Sequence, residues 1–193
     1  MRTGALLGCG AAAGPVLVLA LLLQALWRED YDLGTDPISS LGLGPHGWVH
    51  VVTFVLVGGL VAALGVGTLR LDRRGRLVRV AGALLVVMAA GLVGVGVFVV
   101  DPVAWHGRLH DVSTGVAINA GLLAVLAISV AWWRDGLRGR ALHGLATVVV
   151  CAALGWQTDP GTTALRHTVV VVVLGAWLTM TALWLLRDRA DGH

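Results

Sequence analysis

The chain is poor in charged residues, which make up only 13% of its 193 positions, and it contains no lysine. A soluble domain carries about a quarter charged residues, so this composition excludes an ordinary soluble fold. The two cysteines, Cys9 and Cys151, both fall inside apolar stretches, which excludes a disulfide framework. No carboxylate or arginine falls in the middle of an apolar stretch. This argues against a proton-coupled pump or a voltage sensor, because those proteins place ionisable groups at the bilayer centre.

Apolar sequence is abundant instead, with 57% hydrophobic residues and a mean hydropathy of +0.84. A helix needs about 20 apolar residues to cross a bilayer core of roughly 30 Å. Six stretches approach or exceed this length, of which the fifth is the shortest: 4–27, 47–69, 80–100, 112–133, 141–157 and 167–186. We therefore predict an all-α polytopic membrane protein. Residues 1–193 would form a single integral membrane domain, with six transmembrane helices arranged as three helical hairpins.

The arginines predict how the chain is oriented in the membrane. Of the 14 arginines, only Arg28, Arg108 and Arg166 fall on one side of the predicted spans, and the rest fall on the other. Cytoplasmic loops carry the excess of positive residues, so both termini are expected in the cytoplasm. The pI near 9.6 is then explained by the arginines of the cytoplasmic loops, which face the negatively charged leaflet. We expect membrane lipids as partners and no nucleic acid.

An Asp-Pro pair separates two apolar stretches three times, and a histidine follows each pair. The pairs are Asp36-Pro37, Asp101-Pro102 and Asp159-Pro160. Proline directly after an aspartate is a common way to start a helix, so residues 36–40 are predicted to form a short helical turn, either re-entrant or at the membrane interface. Alternatively, each pair only marks a tight loop. In either case the titratable side chains gather at the non-cytoplasmic ends of the predicted hairpins.

Five histidines lie near these helix ends: His46, His50, His106, His110 and His167. The first four form two pairs, each with a spacing of four residues, which places both members of a pair on one helix face. Imidazoles at this spacing can share zinc or a similar divalent metal, so the two pairs together with Asp101 are a candidate metal site; Asp36, Asp111 or Asp159 could complete the shell instead. The alternative is a structural cluster in which the same side chains hydrogen-bond the loops.

A candidate anion site falls at the same ends. Helices two, four and six are predicted to begin there, so the positive ends of three helix dipoles meet. Together with Arg108, Arg166 and His167, they would suit a lipid phosphate or carboxylate. The neighbouring acidic side chains could instead act as internal counterions, which would leave no place for a ligand.

Two segments carry a resemblance to a known family. They are Tyr31–Gly42, with the sequence YDLGTDPISSLG, and residues 97–111, which contain VFVVDP and HGRLHD. Both resemble a bacterial family known only as domain of unknown function 998, and the resemblance covers nearly the whole chain. It implies a six-helix protein of the bacterial cytoplasmic membrane and brings no activity with it. The composition, rich in Arg, Gly, Ala and Val, suggests a high-GC, actinobacterial source.

Two functions fit the cluster of polar residues, and the sequence does not decide between them. The first is a membrane-embedded enzyme acting on lipid or isoprenoid substrates. In it His110 and Asp111, with His50, would act as acid and base or hold a metal, while Asp36 and Ser39 position the substrate. The second is a non-catalytic protein that binds a lipid headgroup or a partner protein. Haem held by His50 and His110 is a weaker alternative.

Overall fold

The computed structural model describes residues 2–71, 75–100, 105–155 and 162–191. This part of the chain is all-α, with six α-helices and one short 3-10 helix between the first two. The α-helices are α1 (Thr3–Trp27), α2 (Gly47–Leu69), α3 (Gly75–Val97), α4 (Trp105–Arg134), α5 (Arg138–Gly155) and α6 (Thr163–Ala190), and the 3-10 helix is Ile38–Gly42. The predicted all-α class is therefore confirmed.

Five of the helices, α1 to α4 and α6, are long and apolar enough to cross a membrane. The most apolar 18-residue window of each has a mean hydropathy of 2.0 to 2.5. Helix α5 is not among them, because it has only 18 residues and carries Arg138, Arg140 and His143 in its first two turns. The fifth predicted span therefore stays a prediction.

Helix bounds differ from the predicted spans mainly where polar residues continue a helix beyond its apolar part. Helix α2 has the predicted bounds, whereas α4 begins at Trp105 instead of residue 112 and α6 at Thr163 instead of residue 167. The length of an apolar stretch matches the thickness of the hydrocarbon layer. The helix itself can extend beyond that stretch, because polar residues outside the layer also form helical backbone hydrogen bonds. As a result, His106 and His110 lie inside α4.

Each helix packs against the next one in the chain, and α1 also packs against α6, so the six helices close into a ring. Small residues allow several of these contacts, as expected for helices that approach closely without a hydrophobic driving force. A Cβ built on Gly65 would lie 2.8 Å from the carbonyl oxygen of Gly82 on α3, and one on Gly91 would lie 2.6 Å from the backbone nitrogen of Ala117 on α4. A Cβ built on Gly8 or Gly59, by contrast, would have no neighbouring atom within 4 Å, so only some of the glycines are needed for close helix packing.

Candidate functional site

A cavity of about 430 Å³ lies inside the ring, among α1, α2, α3, α4 and α6. Its wall is mainly apolar, with Leu17, Phe54, Leu92 and Leu178 among its residues. The described residues of α5 contribute nothing to the wall. Sites for small molecules typically enclose about 300–1,000 Å³ and are lined mostly by apolar side chains, so this cavity has the size and character of such a site.

Polar side chains line the cavity at the end where α2, α4 and α6 begin. This polar end consists of Ser39, His50, His110, Asp111, Thr114 and His167. The sequence singled out all of them except Thr114. The sequence feature that could have identified Thr114 is its position four residues after His110, because this spacing places both side chains on one face of α4.

His50 lies in the first turn of α2 and is only 1% exposed. Neither ring nitrogen has a hydrogen-bond partner in the protein. The ring packs at 4.5 Å from that of Phe54, and it fills the space beside Gly42 of the 3-10 helix. A buried polar group without a partner costs about 1–3 kcal/mol, and native proteins rarely leave one without a reason. His50 is also one of the residues that line the cavity.

His110 is buried in the second turn of α4, and its Nδ1 lies 2.7 Å from the carbonyl oxygen of Phe98. A carbonyl oxygen can only accept, so Nδ1 carries the proton and donates it. In the neutral ring this leaves the lone pair on Nε2. In that tautomer, Nε2 is the nitrogen whose lone pair can accept a proton or bind a metal. Thr114, one turn deeper, also has a buried hydroxyl oxygen without a partner.

The 3-10 helix is held at the polar end by the buried guanidinium of Arg28. Its Nη1 donates to the carbonyl oxygens of Leu41 and Leu43, each at 3.0 Å. Its Nε and Nη2 bind the carboxylate of Asp30 at 2.9 and 2.5 Å. The hydrogen bond to Asp30 raises the pKa of Arg28 and lowers that of Asp30, so the pair stays charged at neutral pH. The sequence showed Arg28 only as a positive charge near a helix end, and gave no sign of this bracing contact.

A helical turn is present after Asp36, but it is the 3-10 helix Ile38–Gly42 with Pro37 immediately before it, so it begins two residues later than the predicted 36–40. Asp36 does not cap this helix. Its carboxylate accepts a hydrogen bond of 2.8 Å from the backbone N–H of Asp32, and its carbonyl oxygen accepts one of 3.1 Å from the Tyr31 hydroxyl. Burial raises the pKa of Tyr31, and the charges of Asp36 and Asp32 raise it further. Asp36 shapes the loop and does not line the cavity, so its role with a substrate stays a prediction.

Two further predicted metal ligands, His46 and His106, do not line the cavity. The His46 ring is 4.6 Å from that of Trp27, and the His106 ring is 4.1 Å from that of Trp105. Asp101 lies outside the described residues. Within the described ranges, no three His, Cys, Asp or Glu side chains are grouped closely enough to hold a metal ion. The metal and haem sites therefore stay predictions.

The residues predicted to bind an anion are also divided. His167 lines the cavity, and both it and Asp111 are exposed, so the polar end reaches the protein surface. Arg108 is exposed and Arg166 is half-buried, and neither belongs to the cavity wall. A headgroup at the polar end would therefore meet histidine and hydroxyl groups and the carboxylate of Asp111.

Comparison with known proteins supports the resemblance noted in the two segments. The chain matches the family described as "Protein of unknown function (DUF998)" over residues 11–184. No curated protein and no solved structure matches it. The matched range includes every residue of the cavity wall, from Leu17 to Leu178. The cavity and its polar end thus lie within the range matched by the family model, and the chain belongs to the DUF998 family.

Proposed function

We propose that this chain is a six-span protein of the bacterial cytoplasmic membrane, built of three helical hairpins with both termini in the cytoplasm. We further propose that its cavity binds one amphiphilic lipid or isoprenoid molecule, whose head lies at the polar end. The observation that carries this proposal is His50, a buried imidazole in the cavity wall with no hydrogen-bond partner in the protein. The arginine distribution supports the orientation. Helix α5, at about 27 Å, comes close to the thickness of the hydrocarbon layer.

The depth of the polar end supports an amphiphilic ligand. Three of its residues lie 20 positions before an arginine at the other end of the same helix: His50 before Arg70, Thr114 before Arg134, and His167 before Arg187. Twenty helical residues span about 30 Å, which is the thickness of the hydrocarbon core. With the arginines at the cytoplasmic boundary, the polar end lies at the opposite boundary and the apolar wall lies within the core. A lipid of the outer leaflet has its head and chain at these same depths.

Filling the cavity tests the proposal. Leu174 is a buried wall residue of α6, and Leu174→Trp places a larger side chain in the space where the chain of the ligand would lie. We expect the wild type, purified in mild detergent, to retain near-stoichiometric lipid, and the variant to retain several-fold less. Mass spectrometry of solvent extracts measures the retained lipid. Leu183→Trp is the matched control, because Leu183 is 46% exposed on the same helix and does not line the cavity. Equal lipid in both variants and the wild type would refute the proposal.

The orientation of His110 favours a second function, a reaction carried out on the same bound molecule. With Nδ1 bonded to the Phe98 carbonyl, Nε2 is the nitrogen that can take a proton from water or from a hydroxyl of the head. General acid–base catalysis of this kind contributes about 10²–10⁴-fold to a rate. The neighbouring Asp111 could act as the partner acid or base, and a divalent metal such as zinc on Nε2 is the alternative.

If the protein is an enzyme, we expect His110→Ala to lower the rate of lipid turnover in vesicles by roughly 100-fold or more. His106→Ala is the matched control, because this histidine lies one turn away on α4 and packs on Trp105 outside the cavity. Lipid turnover is followed by mass spectrometry, and elemental analysis of the same samples tests for zinc that is lost only in His110→Ala. Unchanged turnover in His110→Ala would exclude the enzymatic function and leave the binding function intact.

A further inference from the structure

Two buried histidines lie close to one place in the polar end. A Cβ built on Gly42 would lie 3.3 Å from Cδ2 of His50 and 3.1 Å from Cγ1 of Val99, so these two side chains lie near each other. His110 donates a hydrogen bond of 2.7 Å to the carbonyl oxygen of Phe98, the residue before Val99. Both imidazoles therefore lie near the same short segment after α3, and both line the cavity. A ligand head at this place meets the two of them.

The polar atoms at this place require a hydrogen-bond donor from the ligand. The proton on Nδ1 of His110 is bonded to Phe98, so its Nε2 can only accept. The neutral ring of His50 has one N–H and one lone pair, and neither has a partner in the protein. The buried hydroxyl of Thr114 also lacks a partner. A ligand hydroxyl matches this set, because it donates one hydrogen bond and accepts others at the same atom. An ether oxygen or an ionised phosphate only accepts, and leaves the lone pair of His110 without a donor.

The charge around the polar end does not favour an anion. Among the wall residues that the structure describes there is no arginine, and the chain contains no lysine. The guanidinium of Arg28, which holds the 3-10 helix, is paired with Asp30. The described wall contains the carboxylate of Asp111, and the sequences of residues 101–104 and 156–161 add two aspartates and no arginine on the same predicted side. A phosphate head would therefore lose hydration without gaining an oppositely charged partner, which is costly for an ion.

A cationic head fits the buried atoms no better. Asp111 is exposed, whereas the buried groups, which belong to His50, His110 and Thr114, carry no negative charge. An ammonium group among them would lose its water without a buried counter-charge. An uncharged hydroxyl loses only hydrogen bonds to water, and these same groups restore them.

We propose that the ligand is a long-chain alcohol, whose uncharged hydroxyl donates a hydrogen bond to Nε2 of His110 and accepts one from the ring N–H of His50. The inference rests on the proposed binding function and adds to it the chemical class of the head. It decides against the lipid phosphate or carboxylate that the arginines and helix ends suggested from the sequence.

The test compares probes that share one chain and differ only in the head. Delipidated protein in a non-ionic detergent is first titrated with a radiolabelled long-chain isoprenoid alcohol. The bound label is then displaced by the unlabelled alcohol, its methyl ether, its phosphate monoester and the corresponding primary amine. We expect the alcohol to displace the label at a concentration roughly tenfold lower, or more, than the other three. Each of those either lacks the donated hydrogen bond or brings a charge into the site.

A variant tests which atom accepts the hydrogen bond of the hydroxyl. His110→Ala removes Nε2, so it should bind the alcohol and the methyl ether about equally, whereas the wild type prefers the alcohol. His106→Ala is the matched control and should keep that preference, because its ring packs on Trp105 and does not line the cavity. A structural role of His110 would weaken both probes alike and leave their ratio unchanged. An unchanged ratio would therefore overturn the assignment.

Other results would also overturn the inference, and each identifies a different ligand. Equal or tighter binding of the phosphate monoester would identify an anionic lipid. Equal or tighter binding of the amine would identify a cationic one, with Asp111 as its counter-charge. Equal binding of the methyl ether and the alcohol to the wild type would show that the head donates no hydrogen bond. If none of the probes bound saturably to the wild type, the binding function itself would be refuted, a result distinct from a wrong head group.

Discussion

Replacing His50 by leucine is expected to stabilise the lipid-free protein and, at the same time, to abolish lipid retention. Without a ligand, both nitrogens of this 1%-exposed imidazole are unpaired, and leucine of similar bulk removes that unsatisfied group. Removal should raise the free energy of unfolding by about 1–3 kcal/mol, the usual penalty for a buried polar group without a partner. Thermal unfolding of delipidated protein in detergent measures the first effect, and mass spectrometry of retained lipid measures the second.

The opposite signs of the two effects distinguish a ligand-binding histidine from a structural one. A histidine that held the loops together would lose stability on replacement, and lipid would be lost only as a consequence of unfolding. His46→Leu is the control, since this exposed ring belongs to a residue four positions earlier in the chain and packs on Trp27. The His46→Leu variant should have the same free energy of unfolding and the same amount of retained lipid as the wild type. A His50→Leu protein that is less stable than the wild type and still retains lipid would contradict the assignment of His50 to the ligand.

The level of each residue along the helix bundle could be predicted from the sequence, because it follows from position along an apolar stretch. From the sequence we therefore expected Ser39, His50, His110 and His167 to lie at one level, and all four line the same cavity. Which face of a helix points inward could not be predicted in the same way. A membrane helix meets apolar surroundings both in the core and in the lipid, so its apolar residues show no useful periodicity.

The His46–His50 pair illustrates this limit. The spacing of four residues predicted a shared face, yet His50 lines the cavity while His46 packs on Trp27. Helix α2 begins only at Gly47, and His46 precedes it with backbone angles outside the helical region, so helical spacing does not apply to the pair. The exact first residue of a helix was thus the missing information, and the apolar pattern does not supply it.

Asn119 shows the same limit for a polar residue inside an apolar stretch. A polar residue at this position could lie at the bottom of a pocket or bridge two helices. Instead it is exposed, and its side-chain amide donates to the carbonyl oxygen of Gly115 in its own helix at 2.8 Å. This local bond satisfies the amide without any partner helix, so a polar residue at membrane depth did not by itself mark an interior position.

Gly14→Ala is expected to have the largest effect on the fold, because this glycine lies where α1 and α6 close the ring. A Cβ at position 14 would overlap the carbonyl oxygen of Gly175 and would lie 2.5 Å from Oγ1 of Thr179. The same hydroxyl donates to the carbonyl oxygen of Ala11 at 3.2 Å, so the two helices would have to separate and lose this bond. Overpacking of this kind costs about 1–3 kcal/mol, and more where the obstacle is backbone.

Gly8→Ala provides the matched control, because a Cβ at that position on the same helix meets nothing within 4 Å. It should leave the unfolding temperature unchanged or raise it slightly, since alanine has the higher helix propensity. Gly175 also lines the cavity, so separation of α1 from α6 in Gly14→Ala should reduce lipid retention together with stability. Thermal unfolding measures the loss of stability, and mass spectrometry of solvent extracts measures the loss of retained lipid. If Gly14→Ala were as stable as Gly8→Ala, close packing of α1 on α6 would not be what closes the ring.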